Sequence, residues 1–263
     1  MIYPFTTAEN SFKHSSEQLA LLNNYASFMD SINSVVDLGC GAGMDAHWWA
    51  TATTNDDEKR PQNYNVVAVD CDPVEAKYTR KRLQDCANAT VVHADFHSAD
   101  FLREYKDTFD VAWAHDVLQY SVNPLQTLAS WNSIMQHNAM LYIAVPQAVN
   151  NRYNRLSAQC YSRCFHYYSV SNLVYMLVCQ GFDCSDARFN KEAHSELLQV
   201  ACYKVAEPML VGQTMHAPSW YELLETNRLP SHMHDAIEKT GYIDDVYVKG
   251  TWFNGRKILF GNQ

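Results

Sequence analysis

No stretch of this chain strings together the roughly 20 apolar residues that a helix needs to cross a bilayer, although 47% of its 263 residues are hydrophobic. Residues 1–10 have neither the basic start nor the apolar core of a secretory signal. Together these two absences predict a cytoplasmic protein with no membrane partner. Positive charge is also scarce: 20 Lys and Arg stand against 29 Asp and Glu, a formal charge of −9. That balance weighs against nucleic acid as a substrate, because phosphate backbones are held largely by Lys and Arg. The eight cysteines are scattered along the chain. Without a secretory signal they read as reduced core residues rather than a disulfide framework. Cys160 and Cys164 have no second pair at ligand spacing, and His232 and His234, two apart on a helix, point apart. No metal site is expected. Neither an internal repeat nor a low-complexity segment occurs, and the length suffices for one large domain or a domain with an appendage.

What is present is concentrated in Val35-Val36-Asp37-Leu38-Gly39-Cys40-Gly41-Ala42-Gly43. A short apolar strand carries an acid near its end, then three glycines spaced two apart, then a stretch that can be helical from Met44 onward. Glycines at a strand-to-helix turn remove the Cβ atoms that would keep a ligand off the backbone. They also expose N–H groups at the start of the helix to polar or anionic ligand groups. This is a nucleotide-type cradle at the carboxyl end of a first strand. A dinucleotide fingerprint, G-x-G-x-x-G, would need its third glycine at position 44, where Met44 stands. An acid followed by G-x-G-x-G resembles instead the first motif of the class I S-adenosylmethionine-dependent methyltransferases. S-adenosylmethionine has no pyrophosphate to cradle, but its methionine tail carries an ammonium that suits a nearby carboxylate.

Three further stretches follow in the order of that family. Val66-Val67-Ala68-Val69-Asp70 is a buried-type strand ending in an acid, followed by Cys71-Asp72-Pro73. The resemblance implies that Asp70 accepts from both ribose hydroxyls, work for an acceptor-only side chain. Thr90 to Phe96 forms a third strand ending in Ala94-Asp95-Phe96, where Asp95 would accept from the adenine amino group and Phe96 would lie near the ring. Phe109 to Tyr120 resembles the fourth strand and the segment after it. There Ala114-His115-Asp116-Val117 stands in place of the Asp/Asn-Pro-Pro-Tyr motif of nucleobase methylation. The cofactor set implied is Asp37, Gly39, Cys40, Gly41, Gly43, Asp70, Cys71, Asp95, Phe96 and His115, with S-adenosyl-L-methionine as cofactor.

Strand–helix alternation marks a parallel sheet covered on both faces. Helices are expected over residues 16–31, 44–53, 73–86, 98–106, 124–136 and 170–180, with Pro73 at a first helical position. A fifth strand is expected over 138–146, and two more over 182–189 and 197–205 with a turn between them. The fold class is α/β: a doubly wound, mostly parallel seven-stranded sheet whose last strand runs antiparallel between its neighbours, plus a C-terminal helical and β-hairpin appendage. Residues 1–205 form the cofactor-binding methyltransferase domain, and 206–263 form an extension with helices over 219–228 and 231–239. Asn254-Gly255 between Val246–Phe253 and Arg256–Phe260 signals a type I′ hairpin. A lone hairpin is marginal in water, so it should bury Trp252 and Phe253 on the core or across a homodimer.

Residues 147–168 lie where family members commonly build over the acceptor. This insert holds Arg152, Arg155 and Arg163 with Tyr153, Tyr161, Tyr167, Tyr168 and His166, and no Asp or Glu. If 152–163 is helical, the three arginines fall within about 80° of arc. They form either a solvated basic face or a site for an anionic part of the acceptor, to which the guanidinium fork is suited. Arg152, Tyr153, Arg155, Arg163 and His166 are the substrate candidates.

The expected reaction is methyl transfer from S-adenosylmethionine to a small-molecule acceptor of small or medium size, one bearing an anionic group. An oxygen or ammonium nucleophile would need a base, for which His115 and Tyr120 past the fourth strand, and His166 and Tyr153 in the insert, are the candidates. The alternatives are a non-catalytic S-adenosylmethionine-binding subunit or sensor, and another nucleotide enzyme on the same fold.

Overall fold

The computed structural model describes residues 32–52, 64–146, 164–190, 197–209 and 217–241. Seven strands form one sheet in the order β3-β2-β1-β4-β5-β7-β6. They are β1 (Ser34–Leu38), β2 (Asn65–Asp70), β3 (Ala89–His93), β4 (Phe109–His115), β5 (Met135–Pro146), β6 (Phe182–Asn190) and β7 (Leu197–Lys204). The first five pair in parallel, and β7 runs antiparallel between β5 and β6. The seven-stranded sheet with its antiparallel last strand is thus the one expected. Because β1 sits centrally with β2 on one side and β4 on the other, the chain reverses its direction of winding at β1. The crevice outside the carboxyl ends of β1 and β4 is the place where open α/β sheets bind ligands.

Alternate side chains along the strands feed two cores. Val35, Val66, Ala68, Val111, Trp113, Met140, Tyr142 and Ala144 face helix α1 (Met44–Ala50), which contributes Ala46 and Trp49. The intervening residues, Val36, Leu38, Ala112, Ala114, Leu141, Ile143 and Val145, face the helices of the other layer. Those are α3 (Ala99–Glu104), α4 (Pro124–Ile134) and α5 (Val170–Cys179). Helix α2 (Pro73–Arg82) lies beside β2 and β3.

Local sequence sets the helix starts. The side chains of Asp72, Ser98, Asn123 and Ser169 each accept a backbone N–H of the first turn, and Pro73 and Pro124 occupy positions whose N–H would go unused. Most helices end two to four residues short of the expected limits. The fifth strand differs at its start: it begins at Met135, directly after α4, and crosses Asn138 in the left-handed region at φ 65°. Asn tolerates that conformation, so a residue that reads as a strand boundary becomes a register shift inside the strand.

In the C-terminal part, α6 (Trp220–Leu224) and α7 (Ser231–Thr240) fall where helices are expected. Leu223, Leu229, Met233 and Ile237 bury into the same cluster as α4 and α5, and the Cys184 N–H donates to the Arg228 carbonyl. The described residues of this stretch therefore pack into the core of the sheet domain. The helix expected over 16–31, the insert over 147–163 and the hairpin over 246–260 lie outside the described residues.

At the sheet end opposite the glycine turn, Lys204 is buried on β7. Its ammonium donates to the carbonyls of Asn132 (2.9 Å) and Met135 (2.8 Å) and to Asp107 (3.1 Å). All three protons are satisfied, and the bonds staple β7 to the α4–β5 junction. Lys204→Met keeps the stem but strands two carbonyls. Each such bond to a charged group is worth about 1.5–3 kcal/mol, offset in part by the ammonium no longer being desolvated. The expected net loss is ~2–4 kcal/mol, a fall of roughly 5–10 °C in Tm. Cofactor affinity should be unchanged, and an unaltered melting curve would mean that the staple contributes nothing.

Candidate functional site at the carboxyl end of the sheet

Leaving β1, the chain folds into a turn in which Gly39, Gly41 and Gly43 all take positive φ (67°, 50° and 75°). The three are glycine for different reasons. A Cβ on Gly39 would lie 2.7 Å from Val117, and one on Gly43 would lie 2.7 Å from Thr79. Both sites are closed by protein. A Cβ on Gly41 would meet nothing within 4 Å. Its missing side chain keeps open a space that no group of the described residues fills.

The expected donors of this turn are mostly used within the protein. Gly39 and Cys40 N–H both donate to the Val69 carbonyl, Gly43 N–H to the Cys40 carbonyl, and Gly41 N–H to Asp70 Oδ2 at 2.8 Å. From behind, Thr79 Oγ1 donates to the Gly41 carbonyl (2.6 Å) and Arg82 Nε to the Ala42 carbonyl (2.8 Å). The turn therefore offers close approach more than a row of N–H groups, which differs from the reading of the sequence.

The strand-end acids have distinct environments. Asp70 accepts from Gly41 N–H through one oxygen and from Asp72 N–H (2.8 Å) through the other. That fixes the carboxylate while leaving each oxygen a second lone pair. Asp95 is exposed and accepts from the His97 N–H at 2.8 Å. Beside it, half-buried Phe96 rests on Trp131 with ring centroids 5.8 Å apart. His97 is held between Thr127 (3.1 Å) and Ser130 (3.3 Å), and burial keeps its pKa below the usual histidine range. The Cys71 thiol is pushed up by burial and then by Asp70 and Asp95, so it stays protonated. Burial, followed by Asp37, does the same to Cys40.

Asp37 is 3% exposed, and its Oδ2 has no partner among the described residues. Burial first, and then the neighbouring Asp45, raise its pKa against the opposing pull of His115. Asp45, in the first turn of α1, accepts at one oxygen from Trp113 Nε1 (2.9 Å) and pairs with His115 Nδ1 (3.1 Å). Burial acts to lower the His115 pKa. Its hydrogen bond and charge interaction with Asp45, with Asp116 and Asp37 adding, outweigh that, so the imidazole keeps its proton above the usual range.

This pairing has a measurable consequence. Folding takes up a proton at His115, so its contribution to stability is complete below the ordinary histidine pKa of about 6.5. It is lost as pH rises through the folded value. Asp45→Asn removes the charge that holds the proton. The His115 midpoint, followed by NMR of its ring protons, should drop, and the associated decline in stability above that pH should disappear. An unmoved midpoint would detach His115 from Asp45.

Beyond β4, Asp116 takes φ 61° and accepts from Gln119 Nε2, and Leu118–Tyr120 make a single 3-10 turn. The Gln119 carbonyl accepts from Phe165 N–H (2.8 Å) and His166 N–H (3.2 Å), and Tyr168 Oη donates to the Leu118 carbonyl (3.1 Å). Burial, then Asp116 and Cys164, push the Tyr120 phenol far up. It is a donor at neutral pH and a poor base.

The fold thus gathers Asp37, the turn from Gly39 to Gly43, Asp70, Cys71 and His115 at the ends of β1, β2 and β4. Asp95 and Phe96 follow at β3, and Tyr120 and His166 sit beyond β4. Arg152, Tyr153, Arg155 and Arg163 lie outside the described residues. Reading the sequence did not find Asp45, Thr79, Arg82, Trp113, Asp116, Val117 and Gln119. Among the described residues no group of three His, Cys, Asp or Glu side chains is placed to hold a metal, and no helix is long and apolar enough to cross a membrane.

A family model described as a methyltransferase domain matches residues 30–203. No curated protein matches the chain in sequence. Among solved structures, a putative sarcosine dimethylglycine methyltransferase from Galdieria sulphuraria superposes with a TM-score of 0.56 at 12% identity, covering 73% of this chain and 86% of that one. An S-adenosylmethionine-dependent methyltransferase from Methanosarcina mazei gives 0.52 at 15% identity, over 67% and 94%. The CurJ carbon methyltransferase gives 0.52 at 11%, over 66% of this chain but only 49% of its own length. At such identities these likenesses concern the fold alone.

Proposed function

The chain belongs to the class I S-adenosylmethionine-dependent methyltransferases, and from that premise we propose that it transfers the methyl group to a small or medium-sized acceptor bearing an anionic group. The observation that carries the cofactor half of this reading is Gly41. Among the described residues, it is the one glycine of the turn whose absent side chain faces open space, next to a carboxylate already locked by two backbone N–H groups.

The residues present suit the cofactor. Asp37, buried with an oxygen that has no partner among the described residues, would meet the ammonium of the methionine tail. Asp70 would take the ribose hydroxyls on its remaining lone pairs. Asp95 would take the adenine amino group, with Phe96 beside the ring and Cys40, Cys71 and His115 near the cofactor. When bound, S-adenosylmethionine supplies a methyl group already activated on a sulfonium. The work left to the chain is to hold and orient two reactants and to keep water away. His115, at the end of β4, and Tyr120, in the 3-10 turn beyond it, would lie on the acceptor side, Tyr120 as a hydrogen-bond donor. The anionic end of the acceptor would be met by Arg152, Arg155 and Arg163, the basic run of an acidic chain.

Calorimetry with S-adenosylmethionine and with NAD, followed by incubation of methyl-labelled cofactor with a mixture of small acceptors, tests the reading. Binding of S-adenosylmethionine alone together with release of S-adenosylhomocysteine is the expected result. Binding without turnover on any acceptor would favour a non-catalytic sensor. Absence of binding would end the proposal.

A further inference from the structure

We infer that the protein carries a second ligand site, where the glycine turn meets helix α2, for a small aromatic molecule bearing a phosphate. A cavity of about 480 Å³ opens to the surface there, lined among the described residues by Ala42, Tyr78, Lys81 and Arg82. That volume falls within the roughly 300–1,000 Å³ of small-molecule sites. The strand-end crevice presents the carboxylates of Asp37, Asp70 and Asp95, whereas this cavity presents two cations. The two places take ligands of opposite character.

Lys77-Tyr78-Thr79-Arg80-Lys81-Arg82 sets four cations within six residues of an acidic chain, and no Asp or Glu occurs from Ala76 to Gln84. Tyr78, Lys81 and Arg82 stand at i, i+3 and i+4, so they share one side of α2. Arg82 is held in place: its Nε donates to the Ala42 carbonyl at 2.8 Å. That bond fixes the guanidinium plane at the cavity wall, and neither terminal nitrogen has a partner among the described residues. Lys81 is exposed and forms no ion pair among them. Basic residues in a last helical turn also complement the helix dipole. The dipole accounts for the charge at this end, but not for a guanidinium anchored across to the turn beside an open cavity.

A fork of N–H donors beside an ammonium suits an anion with three oxygens and more than one negative charge. A phosphate monoester brings both. A carboxylate would fill the fork and leave Lys81 without an oxygen to hold.

Tyr78 sets the rest of the ligand. It is 54% exposed, one helical turn from both cations, and its ring offers a flat apolar surface beside the Ala42 methyl group. An aromatic ring stacks on such a surface in offset fashion. Inorganic phosphate alone would leave that surface in water and most of the cavity unfilled.

The test titrates 1-naphthyl phosphate, 1-naphthoate, 1-naphthol and inorganic phosphate into the full chain, alone and again with excess S-adenosylhomocysteine. 1-Naphthyl phosphate should bind about tenfold or more tightly than each of the other three, the worth of a hydrogen bond to a charged partner. Lys81→Met and Tyr78→Leu each alter one exposed side chain, so both variants should melt as the wild type does. The first should weaken 1-naphthyl phosphate about tenfold and leave 1-naphthol unchanged. The second should bring 1-naphthyl phosphate down toward inorganic phosphate. No binding, equal binding of the ester and any of its three comparators, or an affinity that survives in both variants would overturn the inference. Displacement of 1-naphthyl phosphate by S-adenosylhomocysteine would also overturn it, by placing the ester in the cofactor crevice. Failure of S-adenosylhomocysteine itself to bind would strike the cofactor reading and leave the titrations of the chain alone to decide this site.

Discussion

Replacing Gly41 by valine should abolish S-adenosylmethionine binding while the protein stays folded. The native φ of 50° costs a residue with a Cβ roughly 1–2 kcal/mol. No atom of the described residues lies within 4 Å of the position the Cβ would take, so none of them adds a clash to that strain. The branched side chain would project into the space assigned to the cofactor, and a ligand that must approach the backbone closely has no way around it. The expected loss is more than about a hundredfold, roughly 3 kcal/mol or more, with Tm lowered by only a few degrees. The neighbouring glycines provide the contrast. Valine at position 39 would collide with Val117 and at position 43 with Thr79, both 2.7 Å from the added Cβ, so those variants should lose stability first and binding as a consequence. Calorimetry paired with thermal melting separates the two patterns. Normal cofactor affinity in Gly41→Val would show that the open space beside the turn is not where the ligand lies.

This division among three glycines marks the limit of what the sequence displays. The G-x-G-x-G spacing, and the acids closing the first three strands, are local patterns with a fixed relation to strand ends. They identify the crevice and the sheet order without any knowledge of packing. What a given group does there depends on partners far along the chain. Thr79 and Arg82 hold the turn from 38 and 40 residues away. Asp45 reaches Trp113 and His115 across 68 and 70 residues, and it looks like any acid in a first helical turn until β4 is placed beside it. The turn's N–H groups illustrate the opposite error. Local geometry predicts them free for a ligand, and the carbonyl of Val69 and the carboxylate of Asp70 consume them. In the fifth strand, Asn138 reads as a boundary because its conformational preference is visible, whereas the pairing of Met135 with Phe109 that carries the strand further back is not.

The second large effect is expected at Asp70. Asp70→Ala should weaken S-adenosylmethionine binding by about ten- to hundredfold, since hydrogen bonds to a charged acceptor are each worth about 1.5–3 kcal/mol. The structure adds a second source of loss. Asp70 takes the Gly41 N–H and the Asp72 N–H, each at 2.8 Å, so the variant also releases the turn and the residue that caps α2. The two sources can be separated with a 2′-deoxy analogue of the cofactor, which lacks one of the hydroxyls assigned to Asp70. In the wild-type protein the analogue should bind more weakly than the natural cofactor. In Asp70→Ala the difference between the two ligands should largely vanish, because the partner of the missing hydroxyl is already gone. A ligand difference that persists undiminished in the variant would mean that Asp70 acts only by shaping the turn and that the ribose is held elsewhere. Asp70→Asn refines the result. Its amide keeps one acceptor oxygen but must turn an N–H toward either Gly41 or Asp72, so it should fall no closer to wild type than alanine does if latching the turn dominates, and clearly closer if the ribose contact dominates.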